Sequence, residues 1–307
     1  MLVIRQILVP LDGSTLAESV LPAAVAVARA FGARVKLLHI IEERGRDTIH
    51  GQRHLTDGDQ ALAYLEEVAR RPVFESQDVE IHVHLPRKGD VAESVVDHAD
   101  EFGADLVILA THGKGGLKGF LFGSIALQAL QRGTTPILLV NPTTTGETPP
   151  FVCREILVPL DGAAGHEPAL PVASTLALAW HAAVHLEIVV PTVGSLSGHE
   201  AATSVLLPIS SRHLLDLAEC GAEEYVERLA GKLAAEGLPT TCHVSRGDPA
   251  ACLIQAAERV GADLVVMASH ARGAMDAFWS RSLTPKVVDK LRRPIFLVRA
   301  AGEEAEH

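Results

Sequence analysis

Two stretches of this chain set reactive residue types where ligand chemistry could follow. The first is Gly113-Lys114-Gly115-Gly116-Leu117-Lys118-Gly119-Phe120-Leu121-Phe122-Gly123-Ser124, with five glycines and two lysines ahead of the serine. Glycine lets backbone N–H groups approach an anion, and a helix beginning at Ser124 adds free N–H donors and the positive end of its dipole. That combination suits a phosphate. A flexible surface loop has the same composition, and Lys114 and Lys118 are equally explained as solvated charges. The second stretch is Pro10-Leu11-Asp12-Gly13-Ser14. Asp12 could accept a hydrogen bond from a ligand amine, or merely cap the helix that follows. Other phosphate loops are excluded. No Gly-Lys-Ser/Thr opens the helix, no GxGxxG follows the first apolar run, and no SGGxDS segment stands there.

The elements that must position these residues read from hydrophobic period. Strands are expected over Gln6–Pro10, Val35–Ile40, Val79–Leu85, Leu106–Ala110 and Ile137–Val140. Four of them are near-continuous apolar runs, as strands covered on both faces should be. Helices are expected over Leu16–Phe31, Asp59–Arg70, Asp90–Phe102 and Ser124–Arg132, with Gly32 and Gly103 as C-caps. The alternation predicts an α/β fold with a doubly wound, five-stranded parallel sheet. Ligands of such sheets bind beyond the carboxyl ends of the strands, where strand order reverses. Asp12 and the glycine-rich segment each follow a strand end.

The whole pattern occurs twice. Ile7–Gly13 and Ile156–Gly162 both read ILVPLDG, GADLVILATH returns as GADLVVMASH at Gly261–His270, TPILLV returns as RPIFLV, and Lys88-Gly89-Asp90 returns as Arg246-Gly247-Asp248. An internal repeat of this kind predicts tandem domains over residues 1–141 and 151–300, a Pro/Thr/Gly-rich linker over 142–150, and a tail over 301–307. The second copy is longer in its middle. The uncharged stretch Pro168–Leu186 aligns with a charged region of the first copy, so it is expected to be a helix and strand rather than a membrane span.

At this point the residues resemble a family: the chain looks like a tandem universal stress protein. ATP-binding members of that family carry G-x2-G-x9-G-S/T after the fourth strand. Here the pattern is Ala110-x2-Gly113-x9-Gly123-Ser124, with only the first glycine replaced. The resemblance implies that Asp12 and the backbone near Pro10 and Ile40 meet adenine, and that Leu109 and Ala110 line the nucleoside. It implies that Gly113 passes the ribose and phosphates, and that Gly123, Ser124 and the N–H of Ile125 hold the phosphates. The implied cofactor is ATP, with ADP or AMP as alternatives and Mg alongside the phosphates. The family also implies pairing through the fifth strands, here Pro136–Val140 and Pro294–Val298, either within the chain as a pseudo-dimer or between chains as a homodimer.

The second copy departs from the motif. Thr111-His112-Gly113 becomes Ser269-His270-Ala271, and Gly123-Ser124 becomes Arg281-Ser282. Residues with Cβ do not readily take positive φ, so nucleotide is expected in the first copy. His82 and His84 alternate on one strand face as metal ligands could, but with no third ligand evident an exposed face is favoured and no metal site is assigned. His112 and His270 are read as loop anchors, and His50 and His54 as part of a polar loop. No Ser-His-Asp spacing or acidic metal cluster supports catalysis, so no catalytic residue is assigned.

Composition sets outer limits. With 27 Lys+Arg against 38 Asp+Glu the net charge is −11, which argues against non-specific nucleic-acid or anionic-membrane binding. Cys153, Cys220, Cys242 and Cys252 form no CxxC pair, which fits a reducing compartment. No export signal is visible. The expectation is a cytoplasmic, ATP-binding stress-response protein of regulatory type. The rivals are a slow ATPase or nucleotidyl-transfer enzyme, and an interaction module with a vestigial nucleotide site.

Overall fold

The computed structural model describes residues 2–41, 48–49, 52–53, 55–85, 91–111, 128–129, 132–142, 150–162, 167–196, 203, 206–269, 287 and 290–299. The backbone groups into two compact units, one formed by residues 2–152 with 294–299 and the other by residues 153–293.

In the first unit the strands are β1 (Gln6–Pro10), β2 (Arg34–Ile40), the short antiparallel pair β3 (Thr48–Ile49) and β4 (Gln52–Arg53), β5 (Val79–His84), β6 (Leu106–Ala110) and β7 (Ile137–Val140). β1, β2 and β5–β7 form a parallel sheet in the order β5–β2–β1–β6–β7. The central runs bury both faces: Ile7, Leu8, Val9, Leu106 and Ile108 are all fully buried. Burying one such side chain contributes about 1.5–3 kcal/mol. β5 lies at the edge, and every one of its residues is half-buried.

The helices are α1 (Thr15–Glu18), α2 (Leu21–Phe31), α3 (Gly58–Ala69) and α4 (Val91–Glu101). The single helix expected over Leu16–Phe31 is thus two. Pro22 stands in the first turn of α2. Its ring has no N–H and collides with the carbonyl four residues back, so an unbroken helix through Glu18 is excluded. α3 begins where Asp57 accepts from the backbone N–H groups of Asp59 and Gln60. The polar stretch read as a loop holds the β3–β4 pair; His50 and His54 lie outside the described residues.

The second unit repeats the plan with β8 (Glu155–Leu160), β9 (Ala183–Val190), β10 (Thr240–Arg246) and β11 (Leu264–Ser269), all parallel in the order β10–β9–β8–β11. Its helices are α5 (Ala169–Trp180), α6 (Pro208–Ala235) and α7 (Pro249–Arg259). Pro168–Leu186 is therefore a helix running into a strand, as expected. The extra length of the second copy lies around α6, which has 28 residues against the 12 of α3. Among the described residues no helix is long and apolar enough to cross a membrane.

The last strand, β12 (Ile295–Arg299), belongs to the first unit. It pairs antiparallel with β7, Ile295 opposite Leu139 and Leu297 opposite Ile137. The two fifth strands therefore meet edge to edge, and Leu139 and Leu297 are both buried.

Candidate functional site

In the first sheet β1 is flanked by β2 and β6. The chain builds outward from β1 through β2 to β5 and then returns to lay β6 and β7 on the other side. Strand order therefore reverses between β1 and β6, and the strand ends there bring together Pro10, Ile40, Leu109 and Ala110. Leu109 is buried and the other three are half-buried. Asp12 follows two residues beyond β1.

The Asp12 turn is tightly specified. Leu11 N–H donates to the Leu38 carbonyl at 2.8 Å. The Asp12 carboxylate accepts from Ser14 N–H at 2.9 Å, while Ser14 Oγ accepts from Ala17 N–H at 3.1 Å. Ser14, then, is the helix cap, and Asp12 shapes the turn that precedes it. Gly13 sits at φ +87°, and a Cβ there would stand 3.0 Å from the Leu55 side chain, so only glycine fits.

Two positioning residues escaped the sequence reading. His39, fully buried in β2, has Nδ1 2.7 Å from the Leu11 carbonyl oxygen and Nε2 3.1 Å from that of Leu55. It ties the Asp12 turn to the segment leading into α3. Thr111, buried just past β6, donates from Oγ1 to Asn141 Oδ1 at 2.5 Å, and its N–H donates to the Val140 carbonyl at 2.8 Å. It fixes the point from which the glycine-rich segment departs. A histidine inside an apolar strand was the available signal for the first; a threonine after a strand is too common to signal the second. Gly113, Gly123, Ser124 and Ile125 lie outside the described residues, as do His112, Lys114 and Lys118.

Beside the turn, Glu18 of α1 accepts from the Tyr64 hydroxyl at 3.0 Å and pairs with Arg71 at 2.6 Å. Burial, the Glu18 carboxylate and more weakly Asp12 push the Tyr64 phenol well above its ordinary pKa. The second unit repeats the motif: Tyr225 donates to Glu167 at 2.9 Å, and burial followed by Glu167 raises its pKa.

The equivalent strand edge of the second unit keeps Asp161 and a positive-φ glycine, Gly162 at +81°, but places buried Ile188 where the first has His39. His270, Ala271, Arg281 and Ser282 lie outside the described residues. Farther out, Glu187 of β9 is buried with 1% exposure. It accepts from Arg259 at 2.6 Å and from the Ser245 hydroxyl, with His243 Nδ1 at 3.3 Å. The Ser245 hydroxyl is thus a donor that helps satisfy the buried carboxylate. Burial raises the pKa of Cys153 to about 12, and raises Cys242 and Cys252 as well. A raised pKa keeps these thiols mainly in the neutral form, the weaker nucleophile.

The expectation that His82 and His84 form an exposed face without a third histidine is corrected. Both are half-buried, and α4 brings His98 against them. Burial, and then His98, push the His82 imidazole below its usual pKa.

Comparison with known proteins places these features in a family. The model of the universal stress protein family matches residues 4–141 and again residues 153–299. Universal stress protein MJ0531 of Methanocaldococcus jannaschii is 26% identical over 145 residues, covering 45% of this chain and 82% of that protein. Universal stress protein YxiE of Bacillus subtilis is 26% identical over 149 residues, covering 45% of this chain and 99% of that protein. A crystal structure of a universal stress protein from Archaeoglobus fulgidus shares the fold across both repeats, with a TM-score of 0.71 at 18% identity, covering 99% of this chain and all of that one.

Proposed function

The chain belongs to the universal stress protein family, and on that premise we propose that it is an adenine-nucleotide-binding stress-response protein whose first repeat holds ATP. ADP and AMP are the alternative occupants, with Mg accompanying the phosphates. One observation carries the reading. β6, which the glycine-rich segment follows in sequence, lies next to β1 at the point where strand order reverses, and β1 leads into the Asp12 turn. Asp12 and the backbone at Pro10 and Ile40 receive adenine. Leu109 and Ala110, apolar and small, suit the flat face of a nucleoside. Gly113 runs past the ribose, and Gly123, Ser124 and the N–H of Ile125 hold the phosphates.

The second repeat, with Arg281 at the position of Gly123, does not bind in this way. The protein acts in the cytoplasm as a regulatory pseudo-dimer of domains 1–141 and 151–300 joined by 142–150, with occupancy of one repeat biasing partner choice.

The test is a calorimetric titration of ATP·Mg, preceded by denaturation of fresh protein and mass spectrometry of any nucleotide released. The expected stoichiometry is close to one per chain. Gly123→Arg, which copies the second repeat, should weaken binding at least 100-fold. A stoichiometry near two, or unchanged affinity in Gly123→Arg, overturns the assignment.

A further inference from the structure

Three imidazoles meet at the edge strand of the first repeat, where His84, the last residue of β5, pairs with Ile40 of β2. His82 and His84 alternate along β5 and therefore project from the same face of the sheet. His98 comes from the last turn of α4 and is 4% exposed. The potential ligand atoms of all three lie within 4.8 Å of one another. The ring centroids of His82 and His98 are 5.2 Å apart, and those of His84 and His98 are 4.5 Å apart.

The buried member is already oriented for coordination. His98 Nδ1 lies 2.6 Å from the Ser94 carbonyl oxygen. A carbonyl only accepts, so Nδ1 carries the proton and Nε2 presents its lone pair. This is the arrangement in which a backbone carbonyl fixes the tautomer of a metal-binding histidine. The Phe102 ring, 5.0 Å from His82 and 5.3 Å from His98, walls off one side. Lys36 of β2 lies over that ring at 3.9 Å and is paired with Glu80 at 2.9 Å, which offsets part of its charge. Glu101 of α4 is a second carboxylate within electrostatic reach of His82.

We propose that His82, His84 and His98 form a binding site for a divalent transition metal ion of the zinc class. Three imidazole nitrogen donors select Zn²⁺, Co²⁺, Ni²⁺ or Cu²⁺ over Mg²⁺ and Ca²⁺, which require oxygen ligands. Metal–nitrogen bonds of about 2.0–2.1 Å in a tetrahedral site put donor atoms roughly 3.3 Å apart. Closure therefore draws the two half-buried strand imidazoles inward onto the fixed His98 ring. The fourth position is left for water or another small ligand. Bound metal would staple α4 to the edge strand β5.

The second repeat supplies an internal control. Val35 pairs with Val79 in the first unit and Val184 pairs with Thr240 in the second, which makes His243 and Ser245 the counterparts of His82 and His84. After the shared Gly-Asp, α4 and α7 align so that Ala256 occupies the place of His98. Only one of the three imidazoles survives, so the site is confined to the first repeat.

The test uses the full chain without a histidine tag, titrated with Co²⁺ and followed by its visible absorption. A tetrahedral band saturating near one equivalent, and bleached by Zn²⁺, is expected. His82→Asn and His84→Asn change half-buried strand positions and should each weaken Co²⁺ at least tenfold, with circular dichroism unchanged. Zn²⁺ should also raise the melting temperature of the parent chain and not of the double variant. Absence of a saturable band overturns the proposal, and so does a band that persists in the double variant.

Discussion

At the outer strand of the first repeat, His82 and His84 face a third imidazole carried by α4. At the matching strand of the second, His243 and Ser245 face Glu187, which α7 meets with Arg259. Both repeats place a polar cluster between an edge strand and the helix that crosses it, but they satisfy it with opposite chemistry. The first uses imidazole rings, whose nitrogens can gather a cation. The second encloses an anion whose position is Leu38 in the first repeat and surrounds it with donors. A common backbone thus fixes where a polar cluster sits without fixing its charge. The turns after β1 and β8 differ in the same manner: both keep Asp-Gly with positive φ, while His39 braces the first turn and Ile188 stands in the second.

The largest expected effect comes from breaking the anionic cluster. Arg259→Ala leaves Glu187 buried without its cation and should cost about 3 kcal/mol, the low end for a buried pair because Arg259 is itself 43% exposed. Glu187→Leu, which gives the second repeat the residue of the first, should cost clearly less, since removing the charge removes its desolvation penalty. Urea denaturation of both variants decides the matter. Equal costs would mean that the carboxylate is not desolvated.

An intermediate effect should follow from His39→Ile, which imposes the second repeat's residue on the first. The Leu11 and Leu55 carbonyls lose the ring nitrogens that face them, and with them at least one N–H donor, at a cost of about 1–3 kcal/mol. ATP affinity should fall several-fold as the Asp12 turn loosens. If stability falls and affinity does not, His39 supports the fold but not the nucleotide.

The smallest effect concerns the feature the repeats share. Tyr64→Phe and Tyr225→Phe each remove one hydrogen bond to a glutamate, worth about 1.5 kcal/mol. The loss should be larger at Tyr64, where the glutamate is also held by Arg71. Both phenols have folded-state pKa values raised above the unfolded one. Above pH of about 10 the unfolded chain therefore loses protons that the folded chain retains, and stability falls as pH rises. That alkaline decline should be shallower in Tyr64→Phe. A decline identical to the parent's would remove Tyr64 as its source.

Sequence alone determined the parts governed by local period and by repetition. Apolar runs bounded by turn residues located β1, β6 and β7 to the residue, because runs this short, rich in Val, Ile and Leu, suit a strand buried on both faces and are too short for a helix. The duplicated motifs located the two repeats, and the short apolar fifth strands suggested the partners that β7 and β12 become. The break between α1 and α2 was also written in the sequence, at Pro22, but the apolar period runs straight through it. What only tertiary structure decided are meetings between elements far apart in the chain. His98 reaches His82 and His84 because a parallel crossover lays α4 against β5. His39 reaches Leu55 because β2 passes beneath the segment entering α3. Arg259 reaches Glu187 because α7 crosses β9. Period tells which face a residue takes, but the partner on that face is set by which distant segment packs there, and no local pattern encodes that.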